Sequence, residues 1–368
     1  MTALFLYTRA GGRCEFDGCN KNLLEHYPTE ASGNFGEKSH IFAFSEGGSR
    51  GLESGRPENI HDLSNLILMC PECHHLVDDV RPADYPVERL RSFKQEHEER
   101  ILRLTGLSKD MDTIPVVLKG NVNGRRVDVS DEEMQAAVEP NYLKSHKKVE
   151  IDLTGIPDSP DADFWKTSSR AIDQKVQQLY SLTPRPGRTL RVSVFALAPI
   201  PLLVYLGSKL SDKMHVDLYQ RHRDPETWSW KEGSGKAEYV FQKIVEGHEQ
   251  DPVALLVNLS GENGPCSIPT EVGSQINVYE LALEGQQATP LFLNTRGDLE
   301  RFLASYLRTL ATIRQAHPTL GVLHLFPAVP APIAVTLGRV RLPKVDPAFL
   351  VYDRDARAGG FAPTMEVK

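Results

Sequence analysis

The sequence predicts two unlike folds in one chain: a small α+β module stapled by metal, followed by a larger α/β region built from a doubled unit. Three observations carry this. Four of the five cysteines, Cys14, Cys19, Cys70 and Cys73, lie in the first 73 residues, together with six of the twelve histidines before residue 105. From about residue 150, apolar strand-like runs alternate with helical ones. Two proline-marked strand-to-helix turns, FALAPIPLLVYLG and LHLFPAVPAPIAVTLG, are alike in chemistry and read as equivalent points of that doubled unit.

With 368 residues, 40% hydrophobic and 25% charged, the chain has material for two or three domains with buried cores. No run approaches the roughly 18 apolar residues that span a bilayer. The start, MTALFLYTRAGGRC, lacks the basic opening and full apolar core of a signal peptide. The expected compartment is therefore the cytoplasm, where paired cysteines serve metals more often than disulfides. Residues 1–105 hold 12 Lys+Arg against 17 Asp+Glu, a net −5, and the remainder 30 against 32, a net −2. Nucleic-acid binders usually carry excess positive charge, so this module alone grips DNA weakly. Arg9, Arg13, Arg50 and Arg56 supply a local patch at best, and copies working side by side would add weak grips.

Residues 1–105 are rich in loops and end in one long helix, VERLRSFKQEHEERILRL, with Leu90, Phe93, His97, Ile101 and Leu104 on one stripe. His97 is a packing residue on that stripe. So small and polar a module needs a metal to hold it. Residues 106–150 read as a linker: a hairpin around Asn123-Gly124, then a short helix, SDEEMQAAV, with Ser130 as N-cap and Glu133 three residues on. Residues 151–368 form the α/β domain. LRVSVFALAPI (190–200), MHVDLYQRH (214–222), DPVALLVNLSG (251–261), NVYELAL (277–283), GVLHLFPAVP (321–330) and FLVYDRD (349–355) read as strands or strand-to-helix turns. PLLVYLGSKL and DLERFLASYLRTLATIRQAH read as helices, the first starting at a proline.

Cys14-x4-Cys19 and Cys70-x2-Cys73 have the paired spacing of a structural Zn2+ site, in which four thiolates surround the ion tetrahedrally. The histidines and an asparagine are then left for other work. EKSHIFAFSEGGSRG (37–51) followed by NLILMCPECHHLVD (65–78) resembles an HNH endonuclease motif, a ββα-metal fold, over roughly residues 9–100. The resemblance implies His40 as general base, Asn65 orienting the base's loop and His74 as ligand of a catalytic Mg2+, Mn2+ or Ni2+. A neutral imidazole suits a base at cytosolic pH, and a divalent metal suits the charge on a phosphodiester. Many relatives carry an Asp immediately before the first His, where this chain has Ser39. Glu37 and Asp62 are the unranked alternatives for the second protein ligand. His75 is either an exposed neighbour or a DNA contact, and His26 and His61 are surface residues.

Residues 323–353, LHLFPAVPAPIAVTLGRVRLPKVDPAFLVYD, and 195–230 are similar to the SAVED family, two CARF-like Rossmann-type α/β units that bind cyclic nucleotides. HNH joined to SAVED is the arrangement of bacterial CBASS antiphage effectors. It implies a cytoplasmic, membrane-free homo-oligomer, a dimer or tetramer on activation, that degrades double-stranded DNA once a cyclic dinucleotide of the cGAMP type binds. Open α/β sheets bind ligands at the carboxyl ends of their strands. Those ends supply Pro199, Ile200, Ser260, Gly261, Pro327 and Ala328. Arg221, Arg223 and Lys209 are candidates for the phosphates, and Trp228, Trp230, Tyr205 and Phe326 for stacking on bases. Core packing is the competing reading for the tryptophans and Phe326, and a salt-bridged surface for the arginines. Lone Cys266 is a small buried or loop residue. Two other functions stand beside the leading one: a catalytically dead zinc-finger DNA-binding protein, and an ungated restriction-type HNH nuclease.

Overall fold

Contacts along the chain divide it into two units, Met1–Ser108 and Lys109–Lys368. The computed structural model describes residues 2–26, 28–106, 111–121, 128–144, 147–157, 162–182, 189–210, 214–273, 275–355 and 360–368. The first unit contains α1 (Thr2–Arg9), β1 (Glu25–His26), β2 (Ala31–Ser32), β3 (Glu37–His40), β4 (Leu66–Met69), α2 (Pro71–His75) and α3 (Val87–Thr105). β3 and β4 pair antiparallel with His40 opposite Leu66 and Glu37 opposite Met69. All four residues of β4 are buried, whereas β3 buries only Ser39. The hairpin therefore lays β4 against a small core of Leu6, Leu23, Ile41, Phe42 and Leu90 and leaves β3 facing outward. Pro71 opens α2 directly after Cys70, where a missing backbone N–H costs nothing. On α3 the buried face is Val87, Leu90, Lys94 and His97. The predicted stripe fails at Leu104, which is 50% exposed because the helix runs past the core.

The second unit holds β5 (Asp112–Lys119), α4 (Asp131–Val138), β6 (Tyr142–Leu143), β7 (Val149–Asp152), α5 (Ala162–Tyr180), β8 (Leu190–Leu197), α6 (Ile200–Lys209), β9 (Met214–Tyr219), β10 (His222–Arg223) and β11 (Glu226–Thr227). β12 (Tyr239–Val245), β13 (Val253–Asn258), β14 (Asn277–Leu283), α7 (Arg296–Ala316), β15 (Val322–Ala328), α8 (Ala331–Arg339), β16 (Ala348–Asp355) and β17 (Gly360–Val367) follow. The expected linker over 106–150 is corrected here. β5 pairs in parallel with β6, β7 and β8, and six of its eight residues are buried. A parallel strand buried on both faces shows an unbroken apolar run rather than alternation, so its sequence resembles a connector's short strand. The Asn123-Gly124 turn lies outside the described residues. α4 does carry the predicted capping box between Ser130 and Glu133.

The first sheet runs β6-β5-β8-β9, with β7 also on β5; the second runs β12-β14-β13-β15-β16-β17. In the second, β14, β13, β15 and β16 are parallel, and antiparallel β12 and β17 form the edges. The two proline-started helices meet in a symmetric way. A Cβ on Gly207 of α6 would stand 1.9 Å from the Val335 carbonyl oxygen, and one on Gly338 of α8 would stand 1.8 Å from that of Val204. Each helix thus offers a glycine to the other's backbone at close approach. One apolar cluster, from Ile114 on β5 to Val367 on β17, joins both halves.

Candidate functional site

The four cysteines converge. Cys14, Cys19, Cys70 and Cys73 place their sulfurs within 4.8 Å of one another. Cys19 Sγ and Cys70 Sγ are 3.9 Å apart, close to the ~3.8 Å edge of a tetrahedron with metal–sulfur bonds of about 2.3 Å. The chain between the first pair reverses at Gly18, whose φ of 77° only glycine adopts freely. Cys70 caps α2 and Cys73 sits on its first turn, so one tight turn delivers the second pair. Cys14 accepts a hydrogen bond from Cys73 and is lowered to about 5, while Cys73 is raised in turn and burial pushes Cys70 up to about 11. The set can release protons to a soft dication, and the residues fit zinc.

The histidine motif forms a second centre outside that cluster. His40 ends β3 half-buried, and burial first, then His61, hold its imidazole below the ordinary 6.5. Asn65 is 2% exposed and works as a clamp. Its Oδ1 accepts from Phe42 N at 2.8 Å, and its Nδ2 donates to Phe42 O at 3.2 Å and to Ile60 O at 2.9 Å. The loop leaving His40 is thereby tied to the turn that enters β4. His74 projects from α2 with both ring nitrogens engaged: Nδ1–H donates to Glu37 Oε2, and Nε2–H to Asp78 Oδ2 at 3.0 Å. The hydrogen bond to Asp78, supported by Glu37 against the cost of burial, pushes His74 up to about 9. Of the two carboxylates left open for the missing Asp, Glu37 meets His74. Asp62 instead accepts from Ser64 N at 2.8 Å and caps the turn Leu63–Asn65.

Three residues of this centre escaped the sequence. Asp78 was legible in principle, four residues after His74 on the same helical face. His61 was set aside as surface, yet its Nδ1 lies 3.3 Å from His40 Nε2. Arg50 is 9% exposed and points inward. It donates to Ile41 O at 2.8 Å, Val77 O at 3.2 Å and Asp78 Oδ1 at 2.5 Å. The expected arginine patch therefore loses two of its four members: Arg50 is internal, and Arg56 donates to Ala43 O at 2.7 Å and Phe44 O at 2.9 Å. His75 pairs with Asp79 at 2.8 Å on the exposed side, and His97 is buried against Ala10 O at 2.9 Å.

In the second unit the strand ends bring together some of the named residues and withdraw others. Ser260 N donates to Ala328 O at 2.8 Å, joining the carboxyl ends of β13 and β15, and Pro327 is buried beside Val257. Arg221 follows β9 and is held by Glu133 at 2.9 Å and Glu226 at 3.0 Å; Arg223 is exposed on β10. Trp228 is completely buried against Phe195, and Phe326 is completely buried and stacked on Tyr352 at 4.3 Å. The stacking expectation is corrected for both, because neither ring has a face free for a base. Trp230 is half-buried, its indole N–H donating to Leu218 O at 3.1 Å. Tyr205 and Lys209 both bind Asp173, at 2.8 and 3.5 Å. They also lie toward the far end of α6, ~1.5 Å per residue away from its start at the strand ends. Lys119, unremarked in the sequence, ends β5 between Asp128 at 3.3 Å and Glu150 at 2.8 Å.

A family model described as "SMODS-associated and fused to various effectors sensor domain" matches residues 173–367, more than half of the chain. The chain belongs to the SAVED family. The HNH_2 model, an HNH endonuclease family, matches residues 14–81, the span holding both the cysteine cluster and the histidine centre. An HNH module thus stands before a SAVED sensor domain. The chain is similar to the solved Acinetobacter baumannii Cap4 SAVED/CARF-domain containing receptor with the cyclic trinucleotide 2'3'3'-cAAA, at 17% identity and TM-score 0.48, covering 77% of this chain and 61% of that one. The Moraxella osloensis Cap4 SAVED/CARF-domain containing receptor follows at 15% identity and TM-score 0.43, covering 77% and 57%. The chain spans about three-fifths of the length of these solved proteins. No curated protein matches it. Among the described residues no helix is long and apolar enough to cross a membrane.

Proposed function

We propose that the chain is a cyclic-nucleotide-gated, metal-dependent DNA endonuclease of bacterial CBASS immunity, in which the SAVED domain senses and the HNH module cuts double-stranded DNA. The observation that carries it is the gathering of Glu37 and Asp78 on His74, beside a half-buried His40. The chain lacks an Asp before His40, yet a carboxylate-and-imidazole set assembles around His74 from other positions. Oxygen and imidazole donors of this kind suit Mg2+, Mn2+ or Ni2+. Asp78 is anchored by buried Arg50, so it orients His74 through Nε2–H, while Nδ1, on giving up its proton, and the more exposed Glu37 would hold the cation. A divalent cation supplied there offsets charge on the phosphate and the leaving oxygen. His40 takes the proton from the attacking water, and its depressed basicity range keeps it neutral at cytosolic pH. Asn65 fixes the loop behind it. The thiolate cluster would hold Zn2+, and so set where α2 begins and where His74 points.

The second-messenger pocket is proposed at the carboxyl ends of the strands, with Ser260, Gly261, Pro327, Ala328, Arg221, Arg223 and Trp230 as its remaining candidates. Activation through a homo-oligomer fits the net −5 of the HNH module, since weak grips on DNA then add. The deciding experiment incubates plasmid, Mg2+ or Mn2+ and the full chain with a panel of cyclic di- and trinucleotides. Degradation only with a ligand, abolished by His40→Ala without loss of zinc, is the expected result. Equal cutting without ligand would instead establish a restriction-type nuclease, and no cutting under any condition a dead zinc-finger module.

A further inference from the structure

His61 reaches the candidate centre from the loop before β4. Its Nδ1 is 3.3 Å from His40 Nε2, with ring centroids 5.4 Å apart. Phe44, 64% exposed, completes an aromatic trio at 5.8 Å from His40 and 5.6 Å from His61. The backbone that presents His61 is built for it: Asn59 Oδ1 accepts from His61 N at 3.1 Å, and Asn65 holds the preceding Ile60 carbonyl at 2.9 Å. The same Asn65 side chain binds Phe42, two residues after His40. One buried amide therefore sets the separation of the two imidazoles. Among the described residues, Nδ1 of His40 makes no hydrogen bond.

We propose that His61 is a positioning residue for the nuclease: it accepts a hydrogen bond from Nε2–H of His40, leaving Nδ1 of His40 as the free basic nitrogen turned to the attacking water. The inference rests on the reading of His40 as general base. A neutral imidazole has one N–H and one lone pair, and what one nitrogen does decides which the other is. Without a fixed partner both tautomers coexist, and one of them presents a proton where a lone pair is required. In the step itself, the water proton passes to His40 Nδ1 while the water oxygen bonds phosphorus. The bond to the leaving oxygen breaks, and that oxygen keeps the electron pair and takes a proton from solvent. The new positive charge rests on the His40 ring, whose Nε2–H stays donated to His61 Nδ1. The groups bearing on His40 from the surrounding elements are His61, Asp78, His74 and Arg56; His61, His74 and Arg56 disfavour the cation and Asp78 favours it.

The test uses the full chain with zinc bound. Histidine-selective 15N spectra, assigned with His40→Ala, should show His40 as the Nε2–H tautomer in the wild type and as a mixture in His61→Ala. Under activating conditions His61→Ala should lower kcat about tenfold to a hundredfold, as loss of such an orienting partner does. KM for DNA should stay within about twofold, since the loss is felt only in the chemical step. His61→Asn, which keeps an acceptor near the Nδ1 position, should recover most of kcat. It should also move the acid limb of the pH–rate profile upward, because a neighbouring imidazole no longer opposes protonation of His40. An Nδ1–H tautomer at His40 in the wild type, or wild-type kcat and acid limb in His61→Ala, would overturn the inference. Full cutting by His40→Ala would overturn the base assignment instead.

Discussion

Arg50 illustrates how little a residue's type says about its neighbours. As one of the four arginines offered as a local patch on an acidic module it looked like a phosphate contact, yet it is buried, in the left-handed region at φ 65°, with its guanidinium bound to Ile41 O, Val77 O and Asp78. A guanidinium offers five donors in a rigid fork; an ammonium is a point charge with three. Arg50→Lys keeps the charge but cannot span the His40 loop and the α2 end together. It should destabilise the HNH module by about 1–3 kcal/mol, the usual cost of unsatisfied buried polar groups. Zinc should stay bound while the Mg2+ concentration for half-maximal cutting rises; metal titration and zinc content check both. An unchanged Mg2+ requirement would mean that Asp78 needs no anchor.

At the scale of single elements, three short helices are placed by contacts outside themselves. α2 is only five residues long, too short to be stable alone, and both ends of its first turn belong to the cysteine cluster. Cys70→Ser should therefore lose zinc and melt the HNH module while leaving the SAVED domain folded, measurable as one lost unfolding transition with the other intact. Full activity without zinc in that variant would break the partition between structural and catalytic ligands. α6 and α8 depend on their glycines. Gly338→Ala would drive a methyl group into the Val204 carbonyl at 1.8 Å. Overpacking of that kind costs on the order of 3 kcal/mol. A calorimetric midpoint equal to wild type would show that the helices slide apart freely.

For the whole molecule, pH acts on the second unit through imidazoles that are partly or wholly buried. His324, against Tyr352 at 2.9 Å, and His222, 7% exposed, are both held below 6.5, by burial first. A histidine whose folded value is depressed contributes stability above the unfolded value and loses it as pH falls through the folded one. The SAVED transition should thus move to lower temperature as pH drops below about 6.5, and less so in His324→Gln. Equal acid sensitivity in that variant would place the effect elsewhere.

What sequence alone determines here is whatever depends on spacing along the chain. The two cysteine pairs, the strand–helix alternation, the Ser130 capping box and the equivalence of the two proline turns are local patterns, and the tertiary structure keeps them. The motif around His40, Asn65 and His74 belongs to the same class, because its members flank one hairpin and the helix after it. Tertiary structure decided what meets across long separations. It put Glu37 beside His74 and His61 beside His40, buried Trp228 and Phe326, and turned the supposed linker into the strand β5 beneath three neighbours. Strand and helix periods specify which face of an element is apolar, but not which other element covers it. Which carboxylate meets His74, and whether Trp228 and Phe326 keep a free face, depended on that second fact.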